Sequence, residues 1–357
     1  MNISPLALFL LGLFCLSACF GQGVTSADEA SFSPPPPPST EYVDPFKDLN
    51  TEAQLMLVVR HVFEDSRNWL WVIGDDVIYH NGEAVMDLSE QDFFRKQVTR
   101  RVAEDPKGIL WFATSNGIVS FDPTAEPAAA FQRFTTSEGL VHPDVWSLFF
   151  DRAGIFWVGT LGGTCRFDGE SFALVDLPET EPDHDRGVTS EHIVHSIRQD
   201  RAGKMWFASN EGAFILYGDQ LDQLSVEGGM SHRVLNDMLE DQQGNVWFTT
   251  HHAGVCRWDG ENFVRIGEAD GVEGSESWSL YEDREGNIWF PIENQGIYRF
   301  DGKSFRRFYK ADGLPMGAVH SIVEDHSGQY WLGGFGGLYH FDGEAFVNVV
   351  EGADWPR

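Results

Sequence analysis

Positive charge is scarce in this sequence. Its 357 residues carry 25 Lys and Arg against 55 Asp and Glu, a formal net charge of −30, so a polyanionic duplex would be repelled and nucleic acid is excluded as a partner. Long apolar runs are missing after the first twenty residues, and helical apolar spacing is missing throughout the repeated part. The second absence argues against a helical solenoid. Cysteine is also rare, four in all, and only Cys165 and Cys256 lie beyond residue 19. The strong acidity itself reads first as surface solvation.

Three stretches differ in composition. From Leu6 to Ala18 the chain is nearly all apolar and uncharged, too short for a comfortable membrane span and consistent with an export signal over residues 1–19. Its end, Leu16-Ser17-Ala18-Cys19, resembles the bacterial lipobox. That resemblance implies acylation of Cys19 and a membrane partner held through the lipid. Phe20, rather than Asp, follows the Cys, which by similarity to Gram-negative sorting implies the outer membrane. Residues 20–50 lack apolar periodicity and contain Pro34 to Pro38, a polyproline tether that stands a globular head off the membrane.

Residues 51–357 are expected to form one repeating domain. Seven tryptophans, Trp71, Trp111, Trp157, Trp206, Trp247, Trp289 and Trp331, recur at spacings of 40, 46, 49, 41, 42 and 42. Periods of this size with strand-like alternation indicate propeller blades of four short strands, so the expected fold is all-β, a seven-bladed β-propeller with four-stranded antiparallel blades. Six residues before each Trp stands an Asp, followed three residues on by Gly, or by Asn68 in the first unit. Asp bonds turn backbone, and Gly or Asn accepts positive φ. A second hairpin recurs as Asp168-Gly169, Asp259-Gly260, Asp301-Gly302 and Asp342-Gly343, with Asn81-Gly82 in unit one and departures at Asp122-Pro123 and Gly218-Asp219. All four strands of each blade are expected from one repeat, with ring closure resting on apolar packing between blades one and seven.

The stretch Val319-His-Ser-Ile-Val-Glu-Asp-His-Ser-Gly-Gln-Tyr-Trp-Leu-Gly-Gly-Phe-Gly-Gly-Leu-Tyr-His-Phe-Asp-Gly343 resembles the two-component regulator propeller repeat. The resemblance extends over roughly residues 55–350. It implies an extracytoplasmic, sensor-type propeller that binds a glycan, a small molecule or a protein partner on its loop face.

Two rings of residues are candidates for that face. Five residues before each inner-strand Asp stand Arg60, Arg100, Trp146, His195, Asn236, Trp278 and His320. This position varies while its neighbours repeat; Trp faces suit sugar or aromatic stacking, and Arg suits carboxylates. Amphipathic residues finishing strands at a wet rim would look the same. Four residues after each Trp stand Asp75, Ser115, Leu161, Asn210, His251, Glu293 and Phe335. His251, His252 and Glu293, with His232 and His195 near the same rim, form a loose His/Glu set of the types that bind divalent ions or exchange protons. The long crossing from Leu177 to Glu191 leads into the strand bearing His195 and is a candidate lid.

Two classes of function follow. One is a binding module at the cell surface or in the periplasm. The other is a metal-assisted lyase or hydrolase working through His251, His252, Glu293 and His232, because Gly244-Asn-Val-Trp-Phe-Thr-Thr250 also resembles the streptogramin lyases; that resemblance implies a divalent metal ion as cofactor. Cys165 and Cys256 occupy equivalent third-strand positions of units three and five, with unit four between them. A disulfide needs Cα atoms within about 7 Å, so both are expected as free, buried thiols.

Overall fold

Each repeat folds by the same local chemistry. The computed structural model describes residues 55–182, 190–350 and 355, and in it the inner-strand Asp does two jobs. In blade six, Asp283 Oδ1 accepts from Glu285 N at 3.1 Å and Asn287 N at 2.8 Å, which closes the turn. Its Oδ2 accepts from the indole Nε1 of Trp289 at 2.8 Å. The indole bond recurs in every blade, from Trp71 with Asp65 at 3.0 Å to Trp331 with Asp325 at 2.7 Å. The Trp is therefore both an apolar plate between blades and the donor that satisfies a buried carboxylate.

The result is seven four-stranded antiparallel sheets, each built from consecutive strands of one repeat. The first blade runs from Val59–Glu64 to Val85–Asp87 and the last from Val319–Glu324 to Phe346–Asn348. Apolar side chains fill the gaps between adjacent blades, with Trp71, Trp247, Trp289 and Trp331 among the largest fully buried. Positive φ falls where the turns require it, at Asn68 as well as at the turn glycines such as Gly286.

A ring of polar latches joins the blades on the rim below the turns. The amide after each turn Asp donates to the side chain that ends the next blade's inner strand: Ser66 N to Glu104 at 2.7 Å, Arg152 N to Gln199 at 3.0 Å, Arg201 N to Glu240 at 2.7 Å, Gln242 N to Glu282 at 2.8 Å and Arg284 N to Glu324 at 3.0 Å. His326 N closes the circle on Glu64 at 2.7 Å. Between blades two and three the bond is missing, because Pro106 has no N–H and Phe150 offers no acceptor. Both partners change together, so no buried polar group is orphaned.

Closure between blades one and seven goes beyond the apolar packing expected from the sequence. Val59, Val62, Leu70 and Val72 pack on Trp331 and Leu338 as anticipated. Gly333 lets the blades meet, since a Cβ there would run into Val59 and Val62. Polar links add to this: Val62 N donates to Ser321 Oγ at 3.0 Å, Gly336 N to Leu57 O at 2.9 Å, and Val58 bridges Phe335. Trp355 lies against Trp331, centroids 5.6 Å apart, and stacks on His80 at 5.0 Å, spanning the seam. The expected export signal with Cys19, the tether, and residues 42–46, whose pairing with blade seven would contradict one-repeat blades, lie outside the described residues.

Cys165 and Cys256 are both free and buried. They face Val158 and Phe248 across their sheets and sit in separate interblade clusters.

Candidate functional site

The variable ring has a backbone cause. In six blades the ladder between the first two strands slips by one residue, and the extra residue is Arg60, Arg100, Trp146, His195, Asn236 or His320. A bulge leaves one residue out of the pairing and re-aims its side chain. In blade six the inner strand is reduced to Tyr281–Glu282, and Trp278 stands ahead of it. All seven side chains, joined by Arg101, line one cavity of about 260 Å³ at the mouth of the channel.

The two rings are coupled within blades. Arg60 pairs with Asp75 at 3.3 Å, His195 Nε2 with Asn210 Oδ1 at 2.9 Å, Trp278 Nε1 donates to Glu293 Oε2 at 3.0 Å, and His320 meets Phe335 edge-on at 4.8 Å. Each pair is fifteen residues apart, so the second ring holds the first in place. In blade two Arg100 turns instead to Asp144 of the next blade, at 2.6 Å, and lies over the Trp146 ring at 4.7 Å. Burial, with Arg60 nearby, lowers His320 to about 4 and keeps it neutral.

The histidines and carboxylates gather beside this cavity in a different order from that expected. His251 Nε2 contacts Glu276 Oε1 at 3.0 Å, a partner the sequence reading did not include. His252 lies against His251 at a tilt, with centroids 4.0 Å apart, and His232 meets His252 edge-on at 5.3 Å. Glu293 is pushed up to about 7 by burial and by the Glu276 carboxyl beside it. His195 is placed with Asn210 and Trp146 rather than with this group. His251 reaches the cavity through Trp278, ring centroids 6.3 Å apart.

As a metal site this set does not fit. Among the described residues, the group of three such side chains whose donor atoms lie within 4.8 Å of one another is Glu179, Glu191 and His192, all exposed on the long crossing. The middle of that crossing, residues 183–189, lies outside the described residues. Its ends are pinned: Thr180 N donates to Glu191 O at 2.7 Å, and Arg233 donates to the carbonyls of Glu181 and Pro182 at 3.2 and 3.3 Å.

Comparison with known proteins agrees with the blade chemistry. The family model described as two component regulator propeller matches residues 228–252, the stretch entering and forming the first two strands of blade five. The chain carries a two-component regulator propeller repeat. The match lies two blades before the one whose sequence shows the repeat most plainly, and the seven blades share its layout. No curated protein sequence matches the chain. The propeller is similar to the extracellular domain of the hybrid two component system BT3049 from B. thetaiotaomicron, at 22% identity and a TM-score of 0.66 over 82% of this chain and 39% of that one. It is similar to PorZ, a bacterial surface component of the type-IX secretion system of Porphyromonas gingivalis, at 14% identity and 0.62 over 82% and 47%. It is also similar to a catalytically inactive virginiamycin B lyase from Staphylococcus aureus with quinupristin, at 11% identity and 0.61 over 81% and 95%. The chain thus spans under half the length of the first two. At these identities the likeness is one of fold.

Two site residues escaped the sequence reading. Arg101 adjoins Arg100 and was hidden because the bulge, which turns both toward the channel, leaves no mark in the alternation of a single strand. Glu276 lies in the loop before a strand, outside both ring positions.

Proposed function

We propose that this chain is an exported, ligand-binding propeller, held at a membrane through Cys19 and reading its ligand in the channel-mouth cavity. The observation that carries this is the convergence of the seven variable ring residues, six of them at bulges, on one cavity, while the positions around them repeat for packing. Repetition specifies the scaffold; departures at one aimed position specify a site. The named extracellular and surface components among its structural relatives support an extracytoplasmic setting, and among the described residues no helix is long and apolar enough to cross a membrane. Glycans, small molecules and protein segments all remain candidate ligands at this level. A glycan and small-molecule binding screen on the full chain, repeated with Trp146→Ala and Trp278→Ala, tests the reading. Hits that survive both substitutions would count against it.

One observation favours a second reading, an enzyme of lyase or hydrolase type. The His251–Glu276 contact, beside a Glu293 pushed up to about 7, offers a proton donor and an acceptor behind Trp278, next to the cavity. Among the described residues no metal donor set converges at this cavity, so this reading rests on the side chains themselves. Turnover of a captured ligand that is lost in Glu293→Gln and His251→Ala, while binding persists, would support it over simple capture. A stoichiometric divalent ion lost in the same variants would restore the metal-assisted form.

A further inference from the structure

One position along the inner strands is used almost everywhere to tie blades together. It follows the bulge residue directly. His61 Nδ1 accepts from Val102 N at 3.2 Å, Ser147 Oγ donates to Val194 O at 3.0 Å, Ser196 Oγ donates to Asp237 Oδ1 at 2.6 Å, and Ser321 Oγ accepts from Val62 N at 3.0 Å. Asp237 in turn accepts from Leu280 N at 3.2 Å. Blade six, where Ser279 Oγ has no hydrogen-bond partner, and blade two depart from this use. The residue of blade two is Arg101, whose side chain makes no hydrogen bond or ion pair among the described residues and lines the cavity.

The surrounding charges leave that guanidinium only a carboxylate already committed elsewhere. Of the three arginines at the cavity, Arg60 is engaged by Asp75 and Arg100 by Asp144. Asp237, the carboxylate whose field Arg101 feels, is committed to Ser196, Arg198 and Leu280. Burial, followed by the fields of Arg101 and Arg198, holds His61 well below its ordinary value, so it adds a neutral ring. Two cations therefore face one carboxylate in the channel of a protein whose net charge is −30. A cation kept there does nothing for solubility and costs desolvation unless something pairs with it.

The other unspent groups have the same sign of demand. Trp146 Nε1 at the cavity and Asn210 Nδ2, on the residue that holds His195, are buried without a hydrogen-bond partner, as is Ser279 Oγ at the equivalent of Arg101 in blade six. The first two are donors only, and a hydroxyl can donate as well. At the cavity itself the spare donors are Trp146 Nε1 and the Arg101 guanidinium, a set complementary to an oxyanion, and Arg presents the fork geometry that fits a carboxylate.

We propose that the ligand of this cavity is a compact carboxylate, its anionic group on Arg101 and its ring face against Trp146 or Trp278. This rests on the pocket reading above and narrows it to a chemical class. A uronic acid and an aromatic acid share that chemistry, so both are used as probes.

The test follows intrinsic tryptophan fluorescence of the full chain titrated with galacturonate and benzoate, each beside its neutral counterpart, galactose and benzyl alcohol. At least one acid is expected to bind saturably and at least tenfold more tightly than its neutral partner, and which acid does so separates the two sources. Arg101→Ser, which installs the residue blades three, four, six and seven carry there, should remove that tenfold preference without changing binding of the neutral partner. Arg101→Lys should keep most of it. Unchanged acid binding in Arg101→Ser, or failure of both acids to bind the natural chain, would overturn the carboxylate assignment. Binding of neutral probes that requires Trp146 and Trp278 but shows no acid preference would overturn that assignment alone. Acid binding indifferent to both tryptophans would overturn the pocket itself.

Discussion

Replacing Asp241 by Ala is expected to cost far more than its place in a turn implies. The residue is 2% exposed and Trp247 is 1% exposed, so water cannot reach the indole N–H once the carboxylate is gone. Asp241 Oδ2 accepts from Trp247 Nε1 and Asn245 Nδ2, both at 2.8 Å, while Oδ1 accepts from Asn245 N at 2.8 Å and Gln243 N at 3.0 Å. A buried donor left without a partner costs about 1–3 kcal/mol, and the half-buried turn amides add roughly 1 kcal/mol each. The sum is about 3–5 kcal/mol. With an unfolding entropy of about 2.1 cal/mol/K per residue over roughly 300 residues, the melting temperature should fall by about 5–8 °C. Differential scanning calorimetry beside Asp259→Ala provides the contrast. Asp259 accepts from Glu261 N at 2.9 Å and Asn262 N at 2.7 Å in an exposed hairpin, where water can replace it, so its shift should be less than a third as large. Equal shifts in the two variants would refute the claim that the carboxylate–indole bond, rather than turn closure, makes this Asp recur.

Three further outcomes are expected. Trp289→Ala should destabilise by about 3–5 kcal/mol, as for other buried aromatics, because Trp289 is 2% exposed, whereas Trp146→Ala and Trp278→Ala should weaken ligand binding with little change in chemical denaturation; equal destabilisation by all three would mark the ring as core. Thiol titration of the chain without residues 1–19 should find Cys165 and Cys256 only after denaturation and without reductant, since both are fully buried and burial pushes the Cys165 thiol up to about 11. Glu293, raised from 4.5 to about 7, binds its proton more tightly in the folded protein, so its contribution to stability is complete below about pH 4.5 and is lost as pH rises to about 7; Glu293→Gln should flatten the stability profile across that window, and an unchanged slope would assign it to other groups.

The blades were legible in the sequence because their signals are local and repeated seven times. Asp, Gly and Trp at fixed offsets set the turn, its φ and the strand register, and one slipped residue would spoil every unit together. The indole bond was not legible, because a turn Asp and a core Trp each already have a sufficient local explanation and only coordinates show Oδ2 meeting Nε1. The bulge was visible only through its consequence, a position that varies between repeating neighbours. Glu276 was invisible, since loop length fixes no direction. The closure of the ring was half legible: the facing valines could be counted, whereas the bond from Val62 N to Ser321 Oγ joins residues 259 apart.

Departures from a repeat divide into two kinds, and the division locates function better than variability does. Pro106 and Phe150 break the latch between blades two and three, but the donor and its acceptor are lost together, so neither leaves an orphan and neither needs a ligand to explain it. Arg101 breaks the tie between the same two blades on the channel side: blade two forfeits a link that His61, Ser147, Ser196 and Ser321 make in their blades and gains a charge that shares Asp237 with Arg198. Ser at this position makes the tie in blades three, four and seven. That blade two carries the charge instead is the feature the proposed carboxylate ligand accounts for.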